Sequence, residues 1–591
     1  MMTRHVATPA RAGKAVPGVL AAAGLIAVVT LVARVFGFGR WLVFSQSVGT
    51  TCVGSAYQAA NQLPNVVFEV AAGGALAAVV VPIIAGQLAR QDDAKAARTA
   101  SAMLTWTLAL LVPLSLLLAV SARPLSTFLV DDHKCAASTD LTASMLVVFS
   151  PQIALYGVGI VLAGVLQAHR RFLGVVLAPL LSSLVVIGTY LLFGVLAQGK
   201  GDDLAGLPAQ ASTALAVGTT LGVAALSLPL LVPVHRAGIR LRPAWTFPEG
   251  VARRASVLAG AGLVALVAQQ GAVLVTLWVS QHRGGTGTLN VYLYVQAVYL
   301  LPYAVLAVPV AMSAMPALAT GLDQATMVSG LGQGTLATAL VQAGPVTGAG
   351  QRTLARAQAT LAAAARAIMV ATSVGAAVLF AIAVPTGAFF AALDAGRNSR
   401  AGQQALAALP AALSAFAPGL VGFGMAALLT RALYVQGRPA VAGALVAVGW
   451  SVAAIAPLLV LRDDAGPRNT LIALGLASSA GMTLAAVGLF VAVRRAWGAS
   501  AFRGFGRSAA VALAAGVISA LLGRALAAAL DPAGLVAGAV VAALVAVVVA
   551  MLCAVSIWFG DRDSARLVLA RLQGRAREEK AATDDTGRPT R

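Results

Sequence analysis

The ten residues VARVFGFGRW, 32–41, sit inside a long apolar run yet carry two arginines, Arg34 and Arg40. A fixed charge near the centre of a membrane helix costs about 2.5–3.5 kcal/mol on insertion scales, so such a residue points inward, to a partner or to a water-filled cavity. The rest of the chain decides whether the run is a membrane span. Of the 591 residues, 59% are hydrophobic and 10% charged, where a soluble protein carries about 25% charged. Mean hydropathy is +0.88, and apolar runs of roughly 20 residues recur along nearly the whole length. The pattern predicts an all-α polytopic membrane protein.

Fourteen spans are predicted, over 17–44, 55–88, 101–120, 141–168, 172–197, 210–234, 255–280, 287–319, 360–389, 405–434, 439–461, 469–493, 508–528 and 533–559. Residues 1–33 resemble a signal peptide, but the run is long and leads into many more spans, so it reads as the first helix. With the N-terminus in the cytoplasm, and with Arg431 and Arg524 counted to the loops beside their span ends, 29 of the 41 Lys and Arg fall in inner segments and 9 in outer ones. Arg34, Arg40 and Arg366 fall within spans. The 29-to-9 split is a strong positive-inside bias, and it places both termini in the cytoplasm. The net charge of +21 is scattered between spans, not gathered on one folded face as nucleic-acid binding requires.

An internal repeat organises the chain. YQAANQLPNVVF in the second span matches YVQAVYLLPYAV in the eighth when Pro64 is set on Pro302, which places Gln58 on Gln296. Each is followed by a second inner proline, Pro82 and Pro316. GVLQAHRR in the fourth span and RALYVQGR in the tenth form a second pair. Matched spans are six apart, the parallel-repeat arrangement of several transporter folds. The expected layout is a cytoplasmic segment 1–16, an N-lobe of six spans 17–234, a cytoplasmic linker 235–254 and a C-lobe of six spans 255–493. Two C-terminal helices at 508–559 and a charged tail 560–591 follow, and the Gly-rich stretch 321–357 marks a boundary between spans eight and nine.

The polar residues within spans outline a cavity. Gln58, Gln62, Asn65 and Glu69 fall at i, i+4, i+7 and i+11, one face of a helix, with Asn61 beside them. Gln269 and Gln270 in span seven and Gln296 in span eight add amides. Arg34 and Arg40 are six residues apart, about 120° around a straight helix. Gly37 and Gly39 between them would let the helix bend or unwind, so that both guanidiniums converge. Two Arg against one Glu favour an anionic, phosphate-bearing substrate, because the Arg fork binds phosphate oxygens bidentately. The alternative is structural: either arginine could pair with Glu69 simply to hold helices together. There is no Walker A motif, nucleophile elbow or metal-ligand cluster, so no enzyme chemistry, catalytic residue, metal or cofactor is expected. Cys52, Cys135 and Cys553 fit neither a metal spacing nor a disulfide framework.

LVARVFGFGRWLVFSQSVG, followed by YQAANQLPNVVFEVAAGGALAAVVVPIIAGQLAR, resembles the opening of the MurJ (MviN) lipid II flippases, within the multidrug/oligosaccharidyl-lipid/polysaccharide exporter superfamily. So do PQIALYGVGIVLAGVLQAHRRFLGVVLAP at 151–179 and ALLTRALYVQGRP at 427–439. The resemblance covers roughly residues 17 to 560. It implies fourteen helices in two pseudo-symmetric lobes in a bacterial cytoplasmic membrane. It also implies export of a polyprenyl-diphosphate-linked peptidoglycan precursor, with Arg34 and Arg40 engaging the diphosphate. Cell-wall synthesis and division proteins are possible partners, a monomer is expected, and the sequence names no coupling ion. Other exporters of the superfamily and a non-transporting scaffold for envelope synthesis are the competing readings. The chain departs from the family at Trp41, Gly54, Ser55, Phe68, Glu69 and Gly73, and at Ala297, near which relatives often carry a cavity arginine.

Overall fold

The computed structural model describes residues 17–247, 251–315, 318–319, 348–395 and 400–562. The expectations for 1–16, for most of the Gly-rich stretch and for the tail beyond 562 lie outside the described residues. Within them the chain is helical and contains no strand, as lipid demands of a backbone that must satisfy every N–H and C=O internally. Twelve helices are long and apolar enough to cross a membrane, and a thirteenth crossing is a pair bent by 48° between Phe416 and Gly419. The second predicted span is a further helical run, from Cys52 to Leu88.

The first span is α1 (Pro17–Ser47). The second is α2 (Cys52–Phe68) and α3 (Gly74–Leu88), joined by a π-helical turn at Glu69–Gly73. Spans three to six are α4 (Asp93–Val120), the pair α5 (Ser138–Phe149) and α6 (Gln152–Ala168), α7 (Phe172–Leu196) and α8 (Ala209–Ser227). The seventh is α9 (Val251–Val279). The eighth begins with α10 (Thr288–Pro302) and continues through a π turn at Tyr303–Ala307. The remainder are α11 (Gly348–Ala381), the bent pair α12 (Leu409–Phe416) and α13 (Gly419–Val435), α14 (Pro439–Val460), α15 (Gly466–Trp497), α16 (Phe505–Leu530) and α17 (Leu535–Gly560).

The prolines aligned by the repeat have matching local consequences. Pro64 lies five residues before one π turn and Pro302 immediately before the other. A proline removes one helical donor, and an extra residue in the turn lets neighbouring groups find partners again. Two of the long helices cross at glycines: a Cβ at Gly481 would stand 2.2 Å from the Gly449 carbonyl oxygen. Small residues allow this close approach between helices in lipid.

Two expectations fail. The helix α1 runs unbroken through Gly37 and Gly39. Each glycine weakens a helix by about 1 kcal/mol, whereas an unsatisfied backbone group in hydrocarbon costs several, so the helix persists and the glycines act as open space beside it. No atom lies within 4 Å of a Cβ built at either. Second, Cys52 and Cys135 are joined in a disulfide. They are 83 residues apart in sequence, but Cys52 opens α2 and Cys135 sits in the loop before α5, at the same end of the bundle. Sequence spacing carries no trace of that proximity.

The core is shared at one end of the molecule and divided at the other. At the end that bears the disulfide, Phe44, Tyr57 and Phe149 from the first half pack in one cluster with Tyr294, Phe390 and Phe416 from the second. At the opposite end each half keeps its own cluster, around Ile84, Leu162 and Leu166 in the first and around Leu361, Leu429 and Leu489 in the second. The halves also meet where α9 runs beside α3.

Candidate functional site

The shared end is sealed by hydrogen bonds between the halves. The Thr50 hydroxyl donates to Asp394 Oδ2 at 2.7 Å, and Asn290 Nδ2 donates to the Gly49 carbonyl at 2.7 Å. Ser55 takes part twice: its hydroxyl accepts from the Gly287 N–H at 2.9 Å, and its carbonyl accepts from Gln281 Nε2 at 3.0 Å. All these groups are buried. Gly287 has φ +79°, and a Cβ there would lie 3.0 Å from the Thr50 carbonyl oxygen, so only glycine turns the chain tightly enough to offer its N–H. A Cβ at Gly54 would stand 2.6 Å from Asn290 Nδ2. Two of the family departures, Gly54 and Ser55, thus fit together as parts of this seal. Beneath it the rings of Trp41 and Tyr294 meet edge-on at 6.2 Å, and Tyr294 stacks on Phe390 at 4.9 Å.

Below the seal lie the residues expected in the cavity. Arg40 is half-buried, with its guanidinium 5.9 Å from the Trp41 ring centroid. It is within electrostatic reach of the hydroxyls of Tyr57, Tyr156 and Tyr190, which come from α2, α6 and α7. Tyr57 is hydrogen-bonded to Tyr190 at 3.0 Å and to Thr219 at 3.1 Å. This buried phenol network was not apparent in the sequence, because its members are single tyrosines on three separate spans. Arg34 is exposed and, on an unbroken α1, stands about 120° away from Arg40. The structure does not bring the two guanidiniums together on one face.

The polar stripe of the second span is graded. Gln58 is buried, whereas Asn61, Gln62, Asn65 and Glu69 are half-buried. Asn65 Nδ2 donates to the Asn61 carbonyl at 3.0 Å, and the Asn65 side chain also meets the Tyr156 hydroxyl. Glu69 starts the π turn, and its carboxylate fills the space that a side chain at Gly73 would take. Among the described residues the ion pairs are Arg123–Asp140 and Arg283–Asp463; none joins Glu69 to Arg34 or Arg40. Gln270 is buried, and Gln296 donates to the Tyr292 hydroxyl of its own helix at 3.1 Å.

A third arginine enters from the second half. Arg431 on α13 is half-buried and within hydrogen-bonding reach of Tyr303 in the π turn of the eighth span; its Nη2 lies 4.0 Å from Met312 Sδ. In sequence it lies at the inner end of the tenth predicted span and reads as a loop charge, whereas in the structure its helix contacts the π turn of the eighth span. No group of three or more His, Cys, Asp or Glu able to hold a metal occurs among the described residues.

A bundle of apolar helices in two halves, joined at one end by buried hydrogen bonds, is the architecture of a membrane transporter. The family model described as lipid II flippase MurJ matches residues 44–530, and the chain belongs to that family. It is 28% identical over 233 residues to a probable lipid II flippase MurJ of Synechocystis sp., covering 38% of this chain and 42% of that one. It is 24% identical over 170 residues to one from Rickettsia prowazekii, covering 29% and 34%. The chain therefore aligns with less than half the length of these relatives. In fold it is similar to a lipid II flippase MurJ in an inward closed conformation (TM-score 0.61, 15% identity, 89% of this chain and 98% of that one). It is also similar to an inward-facing multidrug resistance MATE transporter of the MOP superfamily (TM-score 0.56, 16% identity, 83% and 97%).

Proposed function

We propose that this protein is a flippase that carries a lipid II-type substrate from the cytoplasmic to the outer leaflet by alternating access, with both termini in the cytoplasm. The observation that carries the reading is the set of Thr50, Ser55 and Asn290 hydrogen bonds that join the halves at one end, with Arg34 and Arg40 in no ion pair among the described residues. An interior that holds cations without matching carboxylates suits an anionic cargo and disfavours a cationic drug. Arg40 holds the diphosphate near the sealed end, and Arg431 offers a second cationic contact further toward the opposite end. Arg34, on another face of α1, meets the substrate at the open side.

Two independent features support the orientation. Lys and Arg concentrate at the end where the halves have separate cores, and the disulfide lies at the other end, where an oxidising compartment maintains it. The polyprenyl tail remains in lipid beside α1, whose Val28, Leu31 and Val35 are exposed.

The test is complementation of a host depleted of its own flippase, together with lipid II binding to the purified protein. Wild type is expected to support growth and bind lipid II, and the variant Arg34→Ala/Arg40→Ala to do neither. Growth of that variant at the wild-type rate would sink the arginine mechanism. Growth without lipid II translocation in vesicles would favour a scaffold, and drug resistance that tracks expression would favour a multidrug antiporter.

A further inference from the structure

An apolar groove of about 620 Å³ lies within the second half, between α11, α13, α15 and α16. Its volume is that of an ordinary small-molecule pocket, about 300–1,000 Å³. Met369, Met425, Phe490, Phe505 and Val517 are among its lining, and Val487, Leu513, Val517 and Leu521 along its edge are exposed on the outside of the bundle. It therefore opens to lipid between α15 and α16.

Its mouth is basic. Arg366 lies one turn before Met369 on α11, and Arg494 one turn after Phe490 on α15, so both stand just beyond the lining at the same end. Arg366 lies across Gly504, with its Nη1 3.5 Å from where a Cβ would stand, and its Nε is buried without a hydrogen-bond partner among the described residues. Arg495, Arg503 and Arg507 surround the same end, and Arg507 donates to the Gly560 carbonyl at 3.0 Å. None of the five is in an ion pair among the described residues. The nearby carboxylate, Asp561, accepts from Ser508.

We propose that this groove binds an anionic phospholipid of the cytoplasmic leaflet, with an acyl chain between α15 and α16 and its phosphate against Arg366 and Arg494. Apolar walls lead to a cluster of arginines at headgroup depth, the arrangement by which basic pockets between spans select anionic lipids. Arg forks supply bidentate contacts to the phosphate. The leaflet follows from the orientation proposed above; the charge selectivity does not depend on it.

The test is native mass spectrometry of the purified full chain, titrated with phosphatidylglycerol or with phosphatidylcholine of the same acyl chains. Preferential binding of phosphatidylglycerol is expected. It should fall roughly 10-fold in Arg366→Gln/Arg494→Gln and be lost in Val517→Trp, which fills the groove from its lipid-facing edge. Arg34→Ala/Arg40→Ala should bind phosphatidylglycerol like wild type, which separates this site from the transport cavity. Equal binding of the two lipids, wild-type binding by both groove variants, or loss in the cavity variant instead would each overturn the proposal. Thermal unfolding of each variant establishes that it is folded.

Discussion

Removing the Thr50 hydroxyl should release the outer seal. Thr50 donates to Asp394 Oδ2 across the two halves at 2.7 Å, and both residues are buried. A hydrogen bond to a carboxylate contributes about 1.5–3 kcal/mol, and the buried acceptor loses this donor in Thr50→Val. Only the sealed state contains the bond, so the whole loss falls on that state. At about 1.4 kcal/mol per tenfold, the ratio of sealed to unsealed molecules drops roughly 10- to 100-fold. The remaining bonds from Asn290, Gln281 and Gly287 keep the halves in register, so the fold survives. The assay is a spin-label distance between positions 200 and 464, which are exposed on loops of the two halves. Thr50→Val should show a new, longer distance, and Thr50→Ser should restore the wild-type distribution. An unchanged distribution in Thr50→Val would refute the view that this bond holds the outer end closed.

Other consequences can be checked singly. Cys52→Ser/Cys135→Ser, or reductant, should lower thermal stability by the equivalent of about 2–5 kcal/mol, as for other native disulfides, with no effect of reductant on the variant. Gly481→Ala should destabilise by about 1–3 kcal/mol through overpacking against the Gly449 carbonyl. Gly86→Ala, where a Cβ meets nothing within 4 Å, should not. Arg431→Gln should weaken lipid II binding without changing the melting temperature; unchanged binding would remove Arg431 from the site.

The outer loop gives a pH prediction. Burial raises the pKa of Asp132, but hydrogen bonds from the Thr139 N–H and the Ser138 hydroxyl outweigh it and hold the carboxyl below its ordinary value. Its stabilising effect is therefore complete above the unfolded value of about 3.9 and is lost as pH falls through the lower folded value. The melting-temperature difference between wild type and Asp132→Asn should stay constant above about pH 5 and close as acid is added.

The number and order of spans were legible because lipid imposes one rule on every residue of a crossing helix. The polar stripe from Gln58 to Glu69 was legible for the same reason: amides among apolar residues stand out at helical spacing. What the sequence could not show was contact between distant segments. Cys52 with Cys135, Tyr57 with Tyr190 and Arg431 with Tyr303 are each pairs whose partners lie far apart in sequence. The failed bend at Gly37 and Gly39 has a different cause. Glycine permits a break, but the surrounding lipid sets the cost of making one. Gly54 and Gly73, read as departures from a pattern, prove to be room left for Asn290 and Glu69.

The connection between the halves behaves as a short leash. After the sixth span the chain does not float: the Arg242 and Ala244 N–H groups donate to Ser101 and Thr105 on α4, Trp106 donates to the Trp245 carbonyl, and Arg98 holds Thr246. The next span begins at Val251, five residues beyond that last tie. At no more than about 3.6 Å per residue, the Thr246 anchor on α4 and the start of α9 stay within about 18 Å unless the strap peels away. Separation of the halves at the end opposite the disulfide is thus tethered along the third and seventh spans. The docked strap leaves the two halves tied along one side and untied along the other.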